Sequence, residues 1–346
     1  MSQDCAMTGA GIPVIDARPL FARPGPMRDA CDAAISGACR EASFLVLADL
    51  PPPFRLADAT RGRLTAVFSL PETEKRRMAR RKYNLANPNF YRGFFPLIEG
   101  NPSYKEGVDI GPDFAPDDPR VAGDPLVEPN PWPDEAVLPG WRAEMTARFN
   151  TMERLGFAVL ASMVRHLGLA EDHFARHFRP GNSTLRLNHY PPRSADPADR
   201  LGTAGWREDD GGPRPIVTPE QTDSGCVTLL AQDGIGGLQA KTLDGRWLDV
   251  PPLEDGIVVN LGDALERWSN GLFRASPHRV LGGRGERVSV PFFFEPNSDT
   301  VIEAAKGPVT ADRPAPPPVR YGSYLIEKLQ QFGEYRGIGL PPGERA

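Results

Sequence analysis

The chain has 346 residues, 40 Lys+Arg against 45 Asp+Glu for a formal net charge of -5, and 40% hydrophobic residues. That is length for one large domain with an appendage or for two modest ones, and the mild acidity argues against a general nucleic-acid binder. No run approaches about 18 apolar residues and no basic n-region precedes an apolar stretch, so no membrane span is indicated and a soluble cytoplasmic protein is expected.

The elements follow in chain order. Residues 12–16 (IPVID) read as a short apolar strand. Residues 27–42 place Ala30, Cys31, Ala34, Ile35 and Ala38 on one helical face. Residues 44–47 (FLVL) read as a buried strand, and a second helix is predicted over 57–68, ending before Pro71. The basic run 75–82 (KRRMARRK) reads as one solvated helix face. Residues 84–135, rich in Pro, Asn, Asp and Gly, are expected to form irregular, ordered loop. The clearest helix is 141–167, where Met145, Phe149, Met152, Gly156, Val159, Leu160 and Met163 recur every three or four residues. Such a helix supports a sheet from outside.

After Pro180 the texture changes to short strands. Residues 184–190 form a strand candidate, 193–215 are polar and Gly/Pro-rich, and short apolar runs follow at 226–230, 237–240, 247–250, 257–261, 278–281 and 288–294. Asp244-Gly245 is a hairpin signal. Closely spaced strands of this kind indicate an antiparallel sandwich or barrel. A proline-rich link (314–318) leads to a last helix over 321–332. The 4 cysteines, Cys5, Cys31, Cys39 and Cys226, show no CxxC spacing, so neither a zinc site nor a disulfide framework is suggested.

Strand parity supplies the candidate site. Residues two apart share a face, so Gln221 and Asp223 point the same way, and so do Arg287, Ser289, Pro291 and Phe293. His278 opens another strand. Of the other histidines only His189 is near in sequence, and if Asn188 and Tyr190 face the cavity it turns outward.

The motifs QTDSGCVTLL (221–230), QDGIGGLQ (232–239), VNLGD (259–263), RWSNG (267–271) and SPHRV (276–280) resemble the iron/2-oxoglutarate dioxygenase domain of the isopenicillin N synthase-like family over about residues 182–300. The resemblance implies a double-stranded β-helix, or jelly roll, in a mostly β chain with flanking helices (α+β). It divides the chain into an N-terminal α/β portion (1–120), a supporting helix (121–180), the dioxygenase domain (181–300) and a C-terminal tail (301–346). It implies Fe(II), 2-oxoglutarate and O2 as cofactors and cosubstrates and a small-molecule substrate. In the family a His-x-Asp pair and a distant His hold the metal; Asp223 and His278 match two of these positions, and Gln221 stands where the first histidine belongs. Arg287 and Ser289 match the family's clamp on the far carboxylate of 2-oxoglutarate. Tyr190 matches the tyrosine that joins them, and Asn188 lies beside it. Phe293 is expected to wall the substrate cavity, and Tyr91, Arg92 and Phe94 to reach over the barrel mouth. An amide oxygen is a weaker ligand for ferrous iron than an imidazole, which leaves three readings: an oxygenase with a variant metal site, a relative that binds 2-oxoglutarate without oxidation, or an engineered or accidental change at Gln221 in an otherwise competent enzyme.

Overall fold

Two sheets face each other, and side-chain alternation along their strands decides what lies between them. The computed structural model describes residues 6–7, 11–56, 58–98, 104–166, 168–192, 205–209, 212–282, 285–305, 314–331 and 335. Its main strands are β1 (Ala6–Met7), β2 (Pro13–Asp16), β3 (Phe44–Ala48), β4 (Gly93–Phe95), β5 (Glu106–Ile110), β6 (Thr184–Tyr190) and β7 (Trp206–Asp209). They continue with β8 (Gly212–Gln221), β9 (Val227–Gln232), β10 (Leu238–Lys241), β11 (Trp247–Asp249), β12 (Ile257–Leu261), β13 (His278–Leu281) and β14 (Arg287–Phe294). A nine-stranded sheet runs β1-β2-β3-β12-β9-β14-β6-β5-β4, and a five-stranded sheet runs β11-β10-β13-β8-β7. The architecture is a jelly-roll core with helices packed outside.

The outer face of the large sheet is apolar. Leu185 and Leu187, Val227 and Leu229, Ile257 and Val259, and Phe292 and Phe294 belong to one buried cluster with Met145, Phe149, Met152, Val159 and Met163 of the helix Trp141–His166. Each such side chain contributes about 1.5–3 kcal/mol when fully removed from water. A second cluster fills part of the space between the sheets: Phe44, Val46, Leu230 and Val258 from the large sheet meet Val217, Leu238, Ala240 and Val280 from the small one. Among the described residues no helix is long and apolar enough to cross a membrane.

Two expectations are corrected, for 84–135 and for the basic run, and one stretch read only by its composition proves to hold strand. Residues 84–135 are not all loop, since they supply β4 and β5 to the large sheet. Their alternation is masked because Gly107 sits under Phe95, where a Cβ would lie 2.3 Å from the ring. The polar stretch 193–215 contains β7 and the start of β8, although its part 193–204 lies outside the described residues. Prolines 213, 215 and 219 hid that strand. A proline loses only its donor, and the Pro215 carbonyl still accepts the Gly282 N–H at 2.9 Å. The basic run is not one solvated helix face either: the helix there is Glu72–Arg77, and Arg80 beyond it is 0% exposed.

Alternation along β6 sends His189 outward. Its Nδ1 lies 2.8 Å from Glu106 and its Nε2 2.6 Å from Glu286, with its ring stacked on Phe68 at 5.3 Å between centroids. The hydrogen bond to Glu106 raises its pKa above 6.5, against the opposing effect of burial, and Glu286 adds to the rise. A raised folded pKa means that the ion-paired stabilisation is complete below the unfolded value and fades as pH climbs through the folded one.

Gly156, inside the long helix, faces Phe294, and a Cβ there would lie 2.7 Å from that ring. The ring is itself stacked on Phe178 at 4.2 Å and has nowhere to move. Gly156→Ala should therefore destabilise the protein by about 1 kcal/mol, overpacking outweighing helix propensity. Gly37→Ala in the helix Pro26–Glu41, where nothing lies within 4 Å of the added carbon, should stabilise it by about 0.5–1 kcal/mol; urea titration of both variants measures the opposite signs. His189→Gln should remove a component of stability that is lost as pH rises above the ordinary histidine value of 6.5, seen as a flatter pH dependence of the urea midpoint.

Candidate metal centre and carboxylate pocket

Gln221 ends β8 and His278 opens β13, and the two are direct partners in the ladder. Opposed residues project to the same face, so the amide and the imidazole share one side of the small sheet. Asp223 follows just beyond the strand, where the chain is clamped. Its carbonyl accepts the Asp263 N–H at 2.9 Å, and the Cys226 carbonyl accepts the Gly262 N–H at 3.0 Å. Only glycine permits this approach at 262, since a Cβ would lie 2.3 Å from the Gly225 carbonyl oxygen.

The carboxylate is then aimed. Asp223 Oδ2 accepts from Thr228 Oγ1 at 2.5 Å and from Asn260 Nδ2 at 2.7 Å. Oδ1 is left facing His278 Nε2 at 3.6 Å. His278 Nδ1 lies 3.1 Å from the Ser276 carbonyl. A carbonyl can only accept, so Nδ1 carries the proton and Nε2 turns its lone pair toward Asp223. Two acceptors face each other, an arrangement that calls for a cation between them or a second proton on the imidazole. Among the described residues no group of three His, Cys, Asp or Glu assembles anywhere, so a third donor among them would be of another residue type, and Gln221 stands opposite His278.

The second half of the site lies on the large sheet. Arg287 opens β14 opposite Tyr190, the last residue of β6, with its guanidinium 4.8 Å from the tyrosine ring centroid. Arg287 Nε donates to the Gly236 carbonyl at 2.9 Å, and Nη1 is buried with no hydrogen-bond partner. Ser289 opposes Asn188, whose Nδ2 donates to Ser289 Oγ at 3.3 Å; Asn188 Oδ1 is buried without a partner. Burial pushes the Tyr190 phenol up, but the Lys105 and Arg287 charges outweigh it and bring the pKa down to about 8. Arg287 and Tyr190 line one cavity with Tyr104, Val217, Ile235 and Leu281. A buried cation with an unused N–H beside two hydroxyls is chemistry for a carboxylate.

The expected mouth residues are elsewhere. Tyr91, Arg92 and Phe94 are 4%, 1% and 2% exposed. Tyr91 and Phe94 pack in the outer core with the long helix, and Arg92 donates to Asn182 and Thr184. Phe94 opposes Val108, which faces that same core, so alternation puts Phe95 inside instead. The Phe95 and Phe293 rings flank the Arg186 guanidinium at 5.4 and 5.3 Å. Arg186 and Arg80 both donate to buried Asp109, as does the Tyr335 hydroxyl at 2.9 Å. Burial opposes ionisation of Asp109, yet the two guanidiniums hold its pKa far below the usual carboxylate range. Thr228, Asn260, Asp109 and Phe95 did not emerge from the sequence. The available signal was a polar residue at an inward position of an apolar strand, in VTLL and IVVN, because such a residue must find a partner.

Comparison with known proteins agrees with this geometry. Residues 181–296 match the 2OG-Fe(II) oxygenase superfamily, and residues 12–135 match the family described as non-haem dioxygenase in morphine synthesis N-terminal. The isopenicillin N synthase of Lysobacter lactamgenus is 30% identical over 323 residues, covering 92% of this chain and 96% of that relative. The 2-oxoglutarate-Fe(II) type oxidoreductase hxnY of Emericella nidulans is 29% identical over 321 residues, covering 89% of this chain and 86% of that relative. A full-length Neurospora crassa protein, whose crystal structure was solved in complex with alpha-KG, superposes with a TM-score of 0.77 at 27% identity, covering 96% of this chain and 98% of that one.

Proposed function

This chain is a dioxygenase of the 2OG-Fe(II) oxygenase superfamily, and we propose that it oxidises a small molecule at a metal held by Asp223, His278 and, more weakly, Gln221. The observation that carries this reading is the His278 Nε2 lone pair turned on Asp223 Oδ1 at 3.6 Å while the other carboxylate oxygen is already occupied. An imidazole nitrogen and a carboxylate oxygen suit ferrous iron, and the position opposite His278 adds an amide oxygen. When bound, Fe(II) and 2-oxoglutarate react with O2 to supply the oxidising equivalent, with succinate and carbon dioxide as co-products.

The chain's own residues orient the reactants. Thr228 and Asn260 fix the plane of the Asp223 carboxylate, and Ser276 fixes the His278 tautomer. Outer groups of this kind are worth roughly 10–100-fold in metal affinity. Arg287 offers its unused Nη1 to the far carboxylate of 2-oxoglutarate, with Ser289 and Tyr190 as hydroxyl partners and Asn188 holding Ser289 in place. Phe44, Leu230 and Val258 keep the interior apolar, where the Coulomb attraction of this clamp is least screened. Phe293 presents an apolar wall to the substrate beside Arg186. The reaction is a C–H oxidation, such as hydroxylation or desaturation.

Protein loaded anaerobically with ferrous iron should bind 2-oxoglutarate by calorimetry and consume it when oxygen is admitted. Gln221→His should raise iron affinity by roughly tenfold or more and increase the rate of 2-oxoglutarate consumption. Binding of 2-oxoglutarate with no iron-dependent oxygen uptake in either form would replace this reading with a non-oxidising binding protein.

A further inference from the structure

The inner face of the large sheet carries one more polar group that the site above does not use. Gln232, the last residue of β9, has both amide atoms, Nε2 and Oε1, buried with no hydrogen-bond partner. Leaving two such atoms buried and unmatched costs on the order of 1–3 kcal/mol each, so an unsatisfied amide here points to a missing polar neighbour. Its position says which. Gln232 opposes Ser289 in the ladder between β9 and β14, and Ser289 opposes Asn188 on the other side. The three form a row across adjacent strands with Ser289 in the middle. Alternation puts Gln232 on the same face as Thr228, which bonds Asp223, and Leu230, which lies in the inner cluster. The intervening Leu229 and Ala231 face the outer core.

The backbone beyond Gln232 is also fastened to the Arg287 end of β14. Asp233 accepts the Val288 N–H, and the Gly236 carbonyl accepts Arg287 Nε. The Gln232 position therefore neighbours Ser289 from the side opposite Asn188, with Arg287 two residues from Ser289 along β14 on the same face.

We propose that Gln232 is a cosubstrate-binding residue whose Nε2–H donates to the far carboxylate of 2-oxoglutarate, completing a clamp with Arg287, Ser289 and Tyr190. This rests on the reading that the pocket takes 2-oxoglutarate. Arg287 supplies charge, and the amide supplies direction from the opposite flank. A neutral donor is suited to this flank because a second carboxylate there would repel the ligand.

Anaerobic calorimetry on the iron-loaded full chain tests the assignment with two ligands, 2-oxoglutarate and 2-oxopentanoate, which keeps the 2-oxo acid head and replaces the far carboxylate with a methyl group. Gln232→Leu should weaken 2-oxoglutarate binding by roughly tenfold and leave 2-oxopentanoate binding unchanged; Gln232→Glu should weaken 2-oxoglutarate further. Thermal unfolding of each variant checks that the fold is kept. Wild-type affinity for 2-oxoglutarate in Gln232→Leu overturns the proposal, as does an equal loss for both ligands, which would mark Gln232 as a packing residue. A wild-type protein that binds no 2-oxoglutarate sinks the reading of the pocket and this assignment with it.

Discussion

The structure depends on keeping one register across the large sheet. Leu185, Leu229, Val259 and Phe292 face the long helix, and Asn188, Thr228, Asn260 and Ser289 face the other way. A slip of one residue in any strand would carry its apolar set into the interior and its polar set into the helix layer. Burial of the outer face therefore enforces the position of every inner-face donor. The packing that stabilises the fold also aims the chemistry.

The same constraint explains what was legible in the sequence. Strands 184–190, 257–261 and 278–281 were found with their bounds because apolar residues dominate them, and the long helix because its stripe is regular. The family motif led to Gln221, Asp223, His278, Arg287 and Ser289, and the ladder pairs Gln221 with His278 and sets Arg287 against Tyr190. What was hidden had lost its alternation. Gly107 leaves a gap that Phe95 fills, and the prolines of β8 break the usual strand composition. Phe94 turns into the outer core because β4, only Gly93–Phe95, takes its facing from its partner β5, while Tyr91 and Arg92 precede that strand and their burial has no counterpart in the strand pattern.

Charge at the centre of the molecule is arranged in two groups. One is closed: Asp109 is shared by Arg80, Arg186 and Tyr335, and its negative charge has its partners within the protein. Such a network holds β5 to β6 and to the residues after the helix Glu72–Arg77, and removing one member would leave the others buried and uncompensated. The other is open. Arg287 and Lys105 both act on Tyr190, lowering its phenol to about 8, and among the described residues Arg287 Nη1 is left without an acceptor. Such an arrangement is suited to an anion, whereas the Asp109 group has the balance expected of scaffold.

That distinction bears on how an amide can stand at position 221. A ligand set of Asp223, His278 and Gln221 carries the same formal charge as one with two imidazoles, so the electrostatics of a divalent ion there are not altered by the exchange. What is lost is donor strength from one of three protein groups. On the proposed reading the open positive pocket would offset part of that loss, because a dicarboxylate held by Arg287 would bring its other end to the metal already immobilised. Chelation by a ligand already immobilised raises its effective concentration at the ion. Metal and cosubstrate binding should then be more strongly coupled here than in a site whose protein ligands suffice alone, and by reciprocity each should tighten the other by the same factor.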